Sequence, residues 1–328
     1  MTHYTSIRLA SAGLLLVLLG CSEREMLGPM EATVTPTGWT TRAPMPTARG
    51  RLAAAVVNGV LYAVGGEASF AIPLATVEAY TPGNNRWTTK TPLPAARSHL
   101  NVGGIGNVLY VAGGLDASGQ PTTTLFAYDT RTDTWTTKAS MPTAGACGAS
   151  GVIDDRLYVF TTDCHESALG ADPAFQRYDP VSDSWTTLRL PTWGHFLPAG
   201  GAIGGKFNLA GGLFETTDPI GNIGQNVEAY DPSTDTWTTK ARAPGPRYQD
   251  AGAVLNGLLY VVGGGTGTDY LSLLEVYNPR TDTWREANGQ PTARGFLGAA
   301  ALGGKLYALG GRTLDGYVAT DEVYTPHQ

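Results

Sequence analysis

Charge is scarce in this sequence. Only 15% of its 328 residues are Asp, Glu, Lys or Arg, and the acids outnumber the bases 28 to 22. A protein that tracks a phosphate backbone needs a basic stripe, so nucleic acid is excluded as a partner. So low a charge content also argues against a helix bundle or coiled coil. Cysteine occurs three times and histidine five, a thin supply for a metal centre. Long hydrophobic runs are missing too. The N-terminal one, Leu9–Leu19, has eleven residues, against the about 20 that a spanning helix needs. What the chain has in quantity is glycine (43), proline (21) and apolar residues (42%). That is heavy turn chemistry with enough apolar surface to exclude disorder.

Arg8 followed by the short apolar run reads as a secretory signal peptide over residues 1–20. Leu18-Leu19-Gly20-Cys21 resembles the lipobox of bacterial lipoproteins. That resemblance implies lipidation at Cys21 and an exported chain held to the cell envelope, on its periplasmic or surface side, by lipid alone. Residues 21–37 show no hydrophobic period and read as a tether, followed by a folded unit over 38–328. Removal of residues 1–20 takes Arg8 with it and leaves a net charge of −7.

Length alone suggests about two domains, but internal repetition overrides it. Trp39, Trp87, Trp135, Trp185, Trp237 and Trp284 recur at intervals of 47–52 residues. Tyr80, Tyr128, Tyr178, Tyr230, Tyr277 and Tyr324 keep the same period, as do five Gly-Gly doublets; Thr161-Thr162 stands where the sixth belongs. Each unit parses into four strands. The first is rich in small residues and ends in a tight turn such as Asn58-Gly59 or Gly204-Gly205, whose residues tolerate the positive φ of a type I′ hairpin. The second strand ends in the doublet, the third carries the Tyr, and the fourth carries the Trp and is more polar. Small first strands suit sheets arranged radially, whose innermost strands crowd one axis.

An apolar block, Gly-Gly, a spaced Tyr and a Trp about six residues later resembles the kelch repeat, and the resemblance covers Trp39 to Pro326. It implies an all-β, six-bladed kelch β-propeller. The last unit stops after its third strand, so Trp39–Ala43 should supply its outer strand and close the ring. A monomer with no cofactor is the expectation.

In kelch propellers the loops between fourth and first strands, and between second and third, often form the binding face. The column Arg49, Arg97, Gly145, Gly194, Arg247, Arg294 follows a proline by three residues and is read as structural, bonding loops of adjacent blades. Two residues on, Arg51, His99, Cys147, Phe196, Gln249 and Phe296 vary in chemistry at one fixed place, as a recognition surface does. Glu67 and Arg312 follow doublets, and Trp193, His195, Arg247 and Tyr248 add aromatic and polar groups nearby. Long loops, Asp163–Ala174 and Leu213–Asn226, follow the second strands of blades three and four.

Cys147 and Cys164 are the candidates for a disulfide in an exported chain. Counting pairs from the Asp154-Asp155 turn places Cys147 opposite Thr162, with Cys164 a diagonal neighbour. Asp163, Cys164, His165 and Glu166 are ligand types but, being adjacent, cannot all face one ion, so no metal site is assigned. The repeated Asp-Pro-x-x-Asp turns are explained by turn formation without calcium. No nucleophile–base pair is apparent and no catalytic residue is assigned. The reading is a binding module for a protein, peptide or glycan. The alternative is a small periplasmic sugar-converting enzyme of the sialic-acid mutarotase kind, with Arg51, Glu67, His99 and Arg247 in acid–base and carboxylate-binding roles. A galactose-oxidase-like copper enzyme is excluded by six blades and too few histidines.

Overall fold

The computed structural model describes residues 38–162, 164, 173–212 and 224–326. Cys21, the signal and tether segments, Asp163, His165, Glu166 and most of the two long loops lie outside these residues. Six four-stranded antiparallel sheets make up the fold. Blade one runs Ala53–Val57, Val60–Val64, Val77–Thr81 and Arg86–Thr89, from the axis outward, and blades two to five repeat this order. The first two strands meet at the expected turns: Asn58 and Gly59 have φ of 51° and 74°, and Asn256 and Gly257 have 53° and 75°.

First strands of neighbouring blades pack against one another around the axis. A Cβ on Gly252 would stand 2.7 Å from the backbone nitrogen of Gly200 in the preceding blade, and one on Gly104 would stand 2.6 Å from the carbonyl of Val56. Close approach of backbones is therefore the reason for the small residues.

At the rim the blades are stapled in sequence. The indole N–H groups of Trp87, Trp135, Trp185, Trp237 and Trp284 donate to the carbonyls of Ala43, Thr91, Ala139, Arg189 and Ala241, each belonging to the blade before, at 2.7–2.9 Å. The second acid of the Asp-Pro-x-x-Asp turn has a job of its own. Asp183 accepts from the hydroxyl of Tyr178 (2.7 Å) and from the backbone N–H of Ala139 in the preceding blade (3.0 Å). Asp282 does the same with Tyr277 and Ala241. These bonds hold both carboxyls below the usual range.

The ring closes as the sequence suggests. Trp39–Thr41 pairs antiparallel with Asp321–Tyr324, in the register Trp39 to Tyr324 and Thr41 to Glu322. Trp39 is fully buried, lies 5.3 Å from the ring of Tyr324, and donates to the carbonyl of Asn288 at the end of blade five, 2.7 Å away.

Blade three departs from the pattern. Without the doublet, its first two strands extend over Ala146–Ile153 and Arg156–Thr162, with a bulge between Ala146 and Ala149. The pairing of Cys147 with Thr162 does not form; Ala146 faces Thr162 instead. The bulge brings Cys147 and Cys164 to a Cα separation of 5.4 Å, where a disulfide joins them. A regular diagonal pair would leave them about 7–8 Å apart.

Trp39→Ala should remove about 3–5 kcal/mol of stability, the cost of emptying a fully buried indole site. Denaturant unfolding monitored by circular dichroism measures it; an unchanged midpoint would show that the two chain ends do not depend on each other.

Candidate functional site: the mouth of the ring

Just before the first strand, the chain is clamped to its own blade in blades one, four, five and six. In blade two Phe126 stands where the glutamate would, and Arg97 donates to the carbonyl of Ala96 instead. Arg49 bonds the buried carboxylate of Glu78 through Nη1 and the carbonyl of Ala63 through Nη2, at 3.1 Å. Arg294 repeats this with Glu322 at 2.5 Å and the carbonyl of Ala308 at 3.0 Å. Arg247 pairs with Glu275. These guanidinium bonds stay within one blade, which corrects the expectation that they reach adjacent ones. The backbone makes the inter-blade link instead: the second doublet glycine donates to the column's carbonyl in the next blade, as Gly66 does to Arg97 and Gly311 to Arg49, both at 2.9 Å.

In blade four the clamp is His195, not Gly194. One extra residue follows Pro191. Nδ1 of His195 lies 2.8 Å from the carbonyl of Gly211, and Nε2 lies 3.3 Å from Glu228, which occupies the place of Glu78. In blade three the clamp is lost: a Cβ on Gly145 would meet Oγ1 of Thr161 at 2.1 Å, and Gln176 takes the glutamate's place, accepting from the N–H and donating to the carbonyl of Thr143. His195 and Arg247, expected on the ligand face, are therefore buried structural groups.

Two residues beyond the clamp, every blade places one residue in the left-handed region. These are Arg51 (54°), His99 (53°), Cys147 (49°), Leu197 (56°), Gln249 (62°) and Phe296 (55°). None is glycine, so each carries strain. Leu197 stands where Phe196 was expected, because the extra residue shifts blade four by one. Backbone bonds run from one of these residues to the next. The N–H groups of Arg51, His99, Cys147, Leu197 and Phe296 donate to Phe296, Arg51, His99, Cys147 and Gln249 respectively, at 2.7–3.2 Å. All six residues line a central cavity of 170 Å³ and also a wider cup of 540 Å³.

Glu67, Phe70 and Phe196 join the cup wall, and a cleft of 330 Å³ beside it adds Tyr248, Asp269, Tyr270 and Arg312 to Arg51, Gln249 and Phe296. Trp193 is not among these lining residues; its backbone N–H donates to Glu228 at 3.1 Å. Arg51 is not a solvated charge. It donates to the buried Glu67 at 2.6 Å and lies 4.4 Å over the ring of Phe296. Tyr317 donates to the same carboxylate oxygen. Burial, with the positive Arg51 nearby, holds the His99 imidazole down at about 3, so it is neutral at physiological pH. Phe70 is 71% exposed.

Reading the sequence alone missed Asp250. Its side chain is fully buried, lines the central cavity, and lies 3.2 Å from Nε of Arg247. Burial pushes its carboxyl up to about 7 in spite of that cation. The available signal was position: Leu52, Leu100 and Leu297 fill the equivalent places.

Removing the clamp should cost more than its surface would suggest. Arg49→Ala leaves Glu78 buried and unpaired, for a loss of about 3–5 kcal/mol. Adding Glu78→Gln, the residue type blade three uses, should recover part of it in a denaturant titration; no recovery would mean that the charge is not the cause. Asp250 predicts a pH dependence. Its folded pKa lies above the about 3.9 of an unfolded aspartate, so the folded state holds the extra proton between those values. The stabilisation is complete at low pH and is lost as pH rises towards 7. Melting curves from pH 5 to 8 should show the native protein losing stability relative to Asp250→Asn; parallel profiles would contradict this.

The kelch motif model matches residues 48–94, 96–142 and 246–289, which correspond to blades one, two and five. Among solved structures, one titled "Structure of YjhT" superposes with a TM-score of 0.73 at 17% identity, over 88% of this chain and 97% of that one; the likeness is one of fold. Repeat, blade and closure agree: three kelch motifs and six four-stranded blades make this chain a kelch-repeat β-propeller.

Proposed function

We propose that this chain is an exported binding module, anchored to the bacterial envelope by lipid on Cys21, whose cup takes a glycan. The observation that carries the reading is the ring of six left-handed residues: one backbone place in each blade, six different side chains. Strain of this kind is tolerated where a scaffold over-determines it, commonly at a binding surface. The ring faces of Phe70, Phe196, Phe296 and Tyr248 suit the C–H faces of a pyranose. Arg51, Gln249, Asp269 and Arg312 mix donors and acceptors, as a ligand rich in hydroxyls requires. The module acts as a monomer, and its acidic balance leaves no role for nucleic acid.

A second reading, conversion of a bound sugar, is favoured by Asp250 alone. A carboxyl titrating near 7 in the central cavity has the pKa of a general acid or base.

Calorimetric titration with sialic acids, uronic acids, neutral oligosaccharides and peptidoglycan fragments tests both. Gln249→Ala should weaken binding of the best sugar at least tenfold while changing stability by less than about 0.5 kcal/mol. Unchanged affinity in Gln249→Ala and Phe296→Ala would remove the cup as the site, and selective binding of peptides would overturn the glycan assignment. Turnover of the bound sugar that vanishes in Asp250→Asn would establish the second reading.

A further inference from the structure

At one side of the cup the disulfide partners meet a histidine from the neighbouring blade. The ligand atoms of His99, Cys147 and Cys164 all lie within 4.8 Å of one another. We propose that reduction of the Cys147–Cys164 disulfide converts this wall of the cup into a site for a divalent ion of the zinc type, held by the His99 imidazole and two thiolates.

The donor set suits the ion. Two thiolates and one imidazole leave a four-coordinate ion with one position for water or a cup ligand, which is the open-site pattern of zinc. On a tetrahedral ion with ordinary Zn–S distances the two sulfurs would stand about 3.8 Å apart, a separation that side chains on Cα atoms 5.4 Å apart reach by rotation once the Sγ–Sγ bond is open. Oγ of Ser98 lies 3.3 Å from Nδ1 of His99 and can orient the ring, as outer partners of ligating imidazoles do. The two blades are locked together at this point, because the N–H of Cys147 donates to the carbonyl of His99 at 3.2 Å. Both residues also belong to the left-handed ring, so neither backbone needs to change its region for the site to form.

The chemistry balances. A dithiol reductant delivers two electrons and two protons, the Sγ–Sγ bond breaks, and the reductant leaves as its own disulfide. The ion then displaces both thiol protons to solvent. In the oxidised chain the sulfurs are spent on each other, so the site is gated by redox state.

The test compares the full chain, oxidised and after dithiol reduction with anaerobic desalting, in titrations with Co²⁺ followed by competition with Zn²⁺. The reduced protein should take up one Co²⁺ per chain that the oxidised protein does not. That ion should show thiolate charge-transfer absorption in the near ultraviolet, and Zn²⁺ should displace it. His99→Ala should weaken Co²⁺ binding at least a hundredfold, and Cys164→Ser, at the less buried of the two sulfurs, should halve the charge-transfer intensity. Equal uptake by the oxidised and reduced forms would overturn the proposal, as would full affinity in His99→Ala. Loss of the native near-ultraviolet circular dichroism on reduction would overturn it as well, because the site needs both blades folded.

Discussion

No blade of this protein can bury its own faces. A four-stranded sheet has two sides, and here each is covered by the next sheet around the axis. The apolar clusters accordingly cross blade boundaries. One joins residues of blades one and two, from Tyr62 to Tyr128; another joins blades six and one, from Tyr307 to Tyr80; a third joins blades five and six. Such a core is complete only if the last interface forms, and that depends on the pairing of Trp39–Thr41 with Asp321–Tyr324. Ala43, two residues beyond that strand, supplies the carbonyl that Trp87 staples, so closure also sets the start of blade one. Repeat proteins gain stability from nearest-neighbour interfaces, and a closed ring leaves none of them exposed.

That frame lets the mouth be strained. Each left-handed residue that is not glycine costs about 1–2 kcal/mol, and those at the mouth are held by backbone bonds from blade to blade and, in four of the blades, by the clamps beneath them. Arg49–Glu78, Arg294–Glu322, Arg247–Glu275 and His195–Glu228 do the same work with different chemistry. Because the backbone is fixed from below, the side chains above are free to differ. Arginine, histidine, cystine, leucine, glutamine and phenylalanine occupy equivalent places, and only the first is tied into a salt bridge, with Glu67.

The parts of the fold that repeat were legible in the sequence because six copies report on one geometry. The Trp period, the doublets and the two-residue turns each have a physical reason, and the missing outer strand of the last unit pointed to Trp39. What escaped were single-copy departures. The extra residue after Pro191 shifts the column by one in blade four, so that Leu197, not Phe196, sits in the left-handed ring and His195 becomes the clamp. Glu228, aligned with Glu78, Glu275 and Glu322 but lacking an arginine, carried the clue. The bulge at Cys147 broke the pairing count in blade three, and the pairing of Arg51 with Glu67 joins two loops whose approach no spacing rule describes.

The claim that the mouth is where this protein meets its ligand is tested most directly by hydrogen–deuterium exchange of the full chain, with and without the tightest-binding sugar. The account predicts added protection in peptides spanning residues 50–52, 98–100, 248–250 and 295–297. Protection confined to the opposite face, at turns such as Asn58-Gly59 and Asn256-Gly257, with none at the mouth, would contradict it.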